Sequence, residues 1–253
     1  MRKFMLQNFY PMKKITALVG LFLLLCIGVN AQETIKFKSG DGLGITADLY
    51  PKDGADTFII LFHQAGWSRG EYKEIAPKLN AKGYACLAVD LRSGGEVNGV
   101  LNQTHKNAAL TGKATGYTDA FQDIEATVSY VRKQLKAKKI IIWGSSYSSS
   151  LVLKYGGDYP NKIEGILSFS PGEYFGNKLS VKKSASTITA PVFITSAKSE
   201  SKNWKAIYDA IPSASKKSFV PQTKGNHGSR ALWGKFGDHT AYWTAVDAFL
   251  AGL

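Results

Sequence analysis

The stretch Lys139–Ile140–Ile141–Ile142–Trp143–Gly144–Ser145–Ser146–Tyr147–Ser148 decides how the chain is read. A β-branched apolar run stops abruptly at a glycine. Small residues follow, and Leu151, Val152, Leu153 and Tyr155 then open a helical pattern. The order predicts strand, tight turn and helix, with a serine at the apex. Taken alone, a Ser/Gly-rich strand end also reads as an ordinary loop, so the flanking chain has to decide.

Working outward, the other elements fall into alternation. Thr34–Phe37 and Ile45–Leu49 flank Ser39–Gly40–Asp41–Gly42 and read as an antiparallel hairpin at a sheet edge. Thr57–Phe62 is a continuous apolar run, the pattern of a strand buried on both faces. Tyr72–Lys82 reads as a helix ended by Gly83, and Tyr84–Leu91 as the next buried strand. Arg92 to Thr118 is rich in Gly, Asn and Thr with little periodicity, which suits a functional loop; Asn102, Thr104 and His105 are its candidate pocket-lining residues. A helix over Asp119–Leu135, strands at Ile163–Phe169, Val192–Thr195 and Lys217–Val220, and helices at Trp204–Ala210 and Tyr242–Leu250 complete the series. Buried strands alternating with helices predict an α/β fold: a mostly parallel central sheet, helices on both faces and an N-terminal antiparallel hairpin. The short chain between Phe169 and Val192 leaves no room for a large cap domain, so an open, shallow site is expected.

The N-terminus reads separately. Lys13 and Lys14 precede an uncharged apolar run from Ile15 to Val29, and Val29–Asn30–Ala31 has the small-residue pattern of a signal-peptidase site. Residues 1–31 are therefore expected to be a secretory signal, with Met12 as a second candidate start, and residues 32–253 the functional domain. Lipoprotein anchoring at Cys26 is the rival reading, weakened by Leu25 in front of it. A secreted or periplasmic protein follows, with no stable membrane span once the signal is cleaved. Cleavage removes Arg2, Lys3, Lys13 and Lys14 and no acid, lowering the formal charge from +13 to +9. The remaining lysines are scattered singly or in pairs, which argues against a nucleic-acid partner. Cys86, the one cysteine beyond the signal, sits in an apolar strand pattern and is expected in the core.

The Gly144-to-Ser148 turn resembles the nucleophile elbow of the α/β-hydrolase family, G-x-S-x-G, with Ser146 as nucleophile and Ser148 in place of the last glycine. A serine hydroxyl needs a base, a group to orient that base, and donors for the oxyanion. The family order Ser…Asp/Glu…His is met at the ends of later strands. Glu200 lies in Ser196–Ala197–Lys198–Ser199–Glu200, and His227 lies in the Asn-His-Gly turn after the last strand. Glu173 is the fallback acid, and Asp209 and Asp238 are weaker ones; a surface ion pair with Lys198 or Lys202 is the bland reading of Glu200. The resemblance places the oxyanion hole at the Tyr147 N–H and at Gln64, in His63–Gln64–Ala65–Gly66, which is similar to the family's His-Gly loop. His63 is then a brace for that loop, and His105 and His239 are surface residues. Asp90–Leu91–Arg92–Ser93–Gly94–Gly95 resembles the family's Asp-x-Arg-x-x-Gly turn, where Asp90 and Arg92 fix the loop by hydrogen bonds.

The resemblance is closest to the dienelactone-hydrolase-like and serine esterase or peptidase branches. It implies a secreted or periplasmic serine hydrolase that cleaves a small-molecule carboxylic ester, or second a short amide or peptide, through an acyl-enzyme. No cofactor or metal is expected, since the histidines lack ligand spacing and no GxGxxG or Walker loop is present. A non-catalytic binding module on the same fold is the alternative from another class.

Overall fold

Ten strands and seven α-helices occur among residues 32–253, the part of the chain that the computed structural model describes. The expected secretory signal, the Met12 start and Cys26 lie outside the described residues. In chain order the elements are β1 (Glu33–Lys38), β2 (Gly44–Tyr50), β3 (Thr57–Phe62), α1 (Ile75–Ala81), β4 (Ala85–Val89), β5 (Glu96–Val97), β6 (Val100–Leu101), α2 (Gln103–Leu110) and α3 (Phe121–Lys133). Then come β7 (Lys139–Ser145), α4 (Tyr147–Asp158), β8 (Gly165–Phe169), α5 (Val181–Ala185), β9 (Val192–Thr195), α6 (Ser201–Ala210), β10 (Lys216–Phe219) and α7 (His239–Leu250).

Eight strands form one sheet in the order β1-β2-β4-β3-β7-β8-β9-β10. β1 and β2 pair antiparallel, β2 pairs antiparallel with β4, and every later pairing is parallel. The expected α/β-hydrolase architecture, N-terminal hairpin included, is what forms. Period-2 alternation sends Ile60, Phe62, Ile140, Ile142, Ile166 and Ile194 to one face, where they pack under α3, α4, α5 and α6. Ile59, Leu61, Ile141, Trp143, Leu167 and Phe193 face the other way, onto α1 and α7. Both faces are thus covered, which is why the central strands read as unbroken apolar runs. Cys86 is fully buried in the second cluster, and burial pushes its thiol pKa up, as befits an inert core residue.

The chain winds outward in opposite directions from the β3–β7 pair, with β4 on one side and β8 on the other. Open α/β sheets bind ligands at such a reversal, beyond the carboxyl ends of the strands. Only α5 and one turn of 3-10 helix stand between β8 and β9, so no large cap covers that end.

The segment from Arg92 to Thr118 departs from expectation. It folds into the small β5–β6 hairpin and α2 rather than an aperiodic loop. Asn102 caps α2, its side chain accepting from the His105 N–H at 2.7 Å. The cap was the available signal; the helix itself is weakly amphipathic and gives no periodic stripe. Arg92 behaves as expected. It is fully buried, donates from Nε and Nη2 to Asp123 and reaches Asp41 and Ser39 as well. Asp90 accepts from the Arg69 backbone and guanidinium and from the Gln103 N–H, so both residues fix loops.

Candidate active site

Ser146 follows β7 directly and adopts φ 58°, ψ −121°, a left-handed conformation that non-glycine residues rarely take. Holding such a residue costs on the order of 1–3 kcal/mol and persists only where the surroundings fix it. Here they do. The Ser146 N–H donates to the Phe169 carbonyl at 2.8 Å, and its own carbonyl accepts from the Ser149 N–H at 2.9 Å. The turn is so tight that a Cβ at Gly144 would lie 2.4 Å from the Ser148 carbonyl oxygen, so only glycine fits.

Ser148, the departure from the elbow pattern, has a definite role. Its buried hydroxyl accepts from the Ser145 N–H at 2.9 Å and lies 2.9 Å from the Phe62 and Ser145 carbonyls. It fastens the start of α4 to the ends of β7 and β3. Restoring glycine there, by Ser148→Gly, removes these bonds from a buried place and is expected to destabilise the protein by about 1–3 kcal/mol. A denaturant midpoint shift checks this; an unchanged midpoint would show the hydroxyl to be dispensable.

The expected acid and base are in contact. His227 Nδ1 lies 2.6 Å from Glu200 Oε1, and the other carboxylate oxygen accepts from the Ser170 hydroxyl at 2.8 Å and the Ala197 N–H at 3.2 Å. Burial works against the Glu200 charge, but the bonds from His227 and Ser170 outweigh it and hold the carboxyl below its ordinary pKa. Both side chains are partly exposed, His227 at 29% and Glu200 at 24%. Ser170, which sequence reasoning did not single out, joins the two loops: it also accepts from the Gly228 N–H at 2.9 Å. Its positive φ of 58° at the end of β8 parallels that of Ser146.

The histidine loop is pinned to the elbow. The Ser229 N–H donates to Ser145 Oγ at 2.9 Å, and a Cβ at Gly228 would come within 2.5 Å of the same oxygen. The residues adjoining His227 therefore pack on the residue adjoining Ser146. Tyr174, exposed at 41%, stands at the rim. Its pKa is raised to about 12 by burial and by the Glu200 charge, with the nearby Ser146 hydroxyl opposing the shift.

In the loop expected to supply the oxyanion hole, the Gln64 N–H is already engaged. The Gln64 N–H donates to buried Glu71 at 2.8 Å and so points beneath the site. Trp67 N–H turns back to the Gln64 carbonyl, and the Ala65 N–H between them has no acceptor among the described residues. Tyr147 opens α4, where an N–H has no intrahelical partner. His63 is the expected brace. It is fully buried, its Nε2 accepts from the Leu91 N–H at 2.9 Å, and Nδ1–H therefore donates to the Gln64 carbonyl at 2.8 Å. Burial lowers its pKa to about 4, so the ring is neutral.

Other candidates have structural duties. Asn102 donates to the Leu91 and Trp67 carbonyls, Thr104 accepts from the Thr46 N–H, and His105 Nδ1 meets the Arg92 carbonyl. All three brace loops rather than line a pocket. Glu173, the fallback acid, caps α5 by accepting from the Val181 and Lys182 N–H groups at 2.8 Å. Asp209 pairs with Lys205, Asp238 accepts from Thr223, and Lys198 donates to the Gln222 carbonyl rather than to Glu200. His105 and His239 are partly exposed, and neither bonds to Glu200 or His227 among the described residues.

A family model described as serine aminopeptidase, S33, matches residues 53–212, a span that holds Ser146 and Glu200 and stops short of His227. No curated protein sequence matches the chain. Among solved structures, a dienelactone hydrolase from Anabaena variabilis ATCC 29413 aligns with a TM-score of 0.70 at 13% identity, over 88% of this chain and 97% of its own. An esterase of Pyrococcus furiosus aligns at 0.68 with 19% identity, over 87% and 92%. Est1E of Butyrivibrio proteoclasticus, solved with ferulic acid bound, aligns at 0.65 with 17% identity, over 86% and 98%.

Proposed function

The chain belongs to the serine aminopeptidase S33 family of α/β-fold serine hydrolases, and from that premise we propose that it cleaves a carboxylic ester through a Ser146–His227–Glu200 triad. The observation that carries this reading is the 2.6 Å bond from Glu200 to His227, held against an elbow with Ser146 at its strained apex.

Glu200 accepts from Nδ1 of the base and so leaves Nε2 free to take a proton. Ser146 Oγ attacks the ester carbonyl carbon as its proton passes to His227. The oxyanion develops toward the N–H groups of Tyr147 and Ala65. Collapse breaks the bond to the alcohol, which takes the proton back from His227 and departs. Water, deprotonated by His227, then attacks the acyl-enzyme, and the acid is released with Ser146 restored. Glu200 stays ionised throughout and stabilises the imidazolium.

An ester is favoured over a peptide because the solved structures that this chain resembles include an esterase of Pyrococcus furiosus and Est1E, solved with ferulic acid bound. The signal-like N-terminus supports action outside the cytoplasm, by residues 32–253. A fluorophosphonate probe tests the nucleophile: it is expected to label the native protein stoichiometrically, with the adduct on the peptide containing Ser146. No adduct, or one on another serine, would sink the reading.

A further inference from the structure

Several buried titratable groups lie outside the triad, and one of them touches its loops. Glu71 is fully buried beneath the site. Its Oε1 accepts from the Ser145 hydroxyl at 2.7 Å, and its Oε2 accepts from the Gln64 N–H at 2.8 Å. Ser145 precedes the nucleophile, and Gln64 precedes the Ala65 N–H in the oxyanion loop. The same Ser145 oxygen accepts from the Ser229 N–H of the histidine loop at 2.9 Å. The Glu71 carbonyl in turn accepts from Trp233 Nε1, just beyond that loop, at 2.9 Å. The carboxylate therefore bonds directly to the elbow and the oxyanion loop, and Glu71 reaches the histidine loop through Ser145 and through its own carbonyl.

On the triad reading above, we infer that Glu71 is a positioning carboxylate of this active site, which must be ionised to hold the elbow, the oxyanion loop and the histidine loop in their working register. As an anion it accepts from both donors at once. Protonation turns one oxygen into a donor. Either Ser145 must reverse its bond, which takes from its buried hydroxyl proton the acceptor it now has, or Gln64 must turn away and carry the Ala65 peptide with it.

The environment supports a role beyond mechanical support. Both donors to the carboxylate are neutral. Burial raises the Glu71 pKa to about 7, against the pull of the Ser145 and Gln64 bonds. The charged and titratable groups that face it are His227 and Arg230, which favour its anion, and the Tyr72 and Tyr147 hydroxyls, whose ionisation its charge opposes. A carboxyl whose pKa is raised by folding stabilises the fold fully in acid, and that stability is lost as pH climbs from the ordinary carboxylate range to about 7. At higher pH the anion is retained at the expense of stability, as strained groups at functional sites are.

The test compares native protein with Glu71→Gln on a short-chain 4-nitrophenyl ester, across pH and with thermal unfolding at each pH. The expected result is a kcat lower by roughly 100-fold with KM nearly unchanged, the scale of a misplacement of about an ångström. The acid limb of kcat should need the loss of two protons in the native protein and of one in the variant. At pH 8 the variant should melt no lower than the native protein. An unchanged kcat and acid limb would overturn the inference. So would a fall in kcat matched by a lower melting temperature with the two-proton limb intact, which is the behaviour of a plain strut. If Glu71→Gln does not fold, Ser145→Ala cuts the same link from the other side and should lower kcat at constant KM; native-like kcat there would equally overturn it. Labelling of native Ser146 by the fluorophosphonate separates the two readings. A labelled native protein with an indifferent Glu71→Gln defeats only this inference, whereas an unlabelled one removes the triad reading on which it rests.

Discussion

Ser146→Ala is expected to slow turnover of a short-chain 4-nitrophenyl ester by about 10⁴-fold or more while the protein remains folded. The alanine keeps the backbone path of the turn, and the bonds that hold it come from the main chain of Ser146, not from its hydroxyl. What disappears is the attacking oxygen. The oxyanion donors and the bound geometry survive, so a residue of activity above water is expected, and stopped-flow traces should lose any burst of nitrophenol. Turnover near that of the native protein would move the nucleophile elsewhere. The variant Cβ adopts the same positive φ without a hydroxyl, so its melting temperature should stay within a few degrees of the native value.

Glu200→Gln is expected to cost about 10³–10⁴-fold in kcat, with KM little changed. The carboxylate accepts from His227 Nδ1 on one oxygen and from Ser170 and Ala197 on the other. An amide cannot meet all three. With its oxygen on Ser170 and Ala197, its NH₂ faces Nδ1 and selects the tautomer whose Nε2 already carries a proton. With its oxygen on His227, its NH₂ opposes the Ala197 N–H, which has no lone pair to offer. Imidazole titration by NMR checks the tautomer alongside the kinetics. Activity within tenfold of native would deny Glu200 the orienting role, and none of Glu173, Asp209 or Asp238 stands against His227 to replace it.

Much of the fold was legible because burial on both sheet faces leaves a plain signature. Ile140–Ile141–Ile142 and residues 58–62 carry apolar side chains at every register position, and a parallel sheet covered on both faces uses them all. The positions of Glu200 and His227 were legible from strand ends and small-residue turns. Where the reading missed, polar side chains had taken structural duties that no periodicity reveals. Asn102 and Thr104 look like loop residues by composition, yet they are buried and bonded to backbone groups. The engagement of the Gln64 N–H within the fold has the same origin. It depends on a carboxylate seven residues downstream folding back under the loop, a contact that spacing along the chain does not encode. Ser148 was a departure by motif and a hydrogen-bonding residue by structure.

The final strand, β10, lies at the sheet edge and leads into the loop of His227, the proposed base, while the loop proposed to hold the oxyanion leaves β3 near the other end of the chain. A polypeptide delivered from its N-terminus must therefore remain chemically silent for most of its synthesis, since the proposed base is added long after the proposed nucleophile. Domains of this size gather such distant pairings slowly. Catalytic competence thus marks the docking of the last strand, and the first turnover by a refolding sample reports completion of the sheet rather than its beginning.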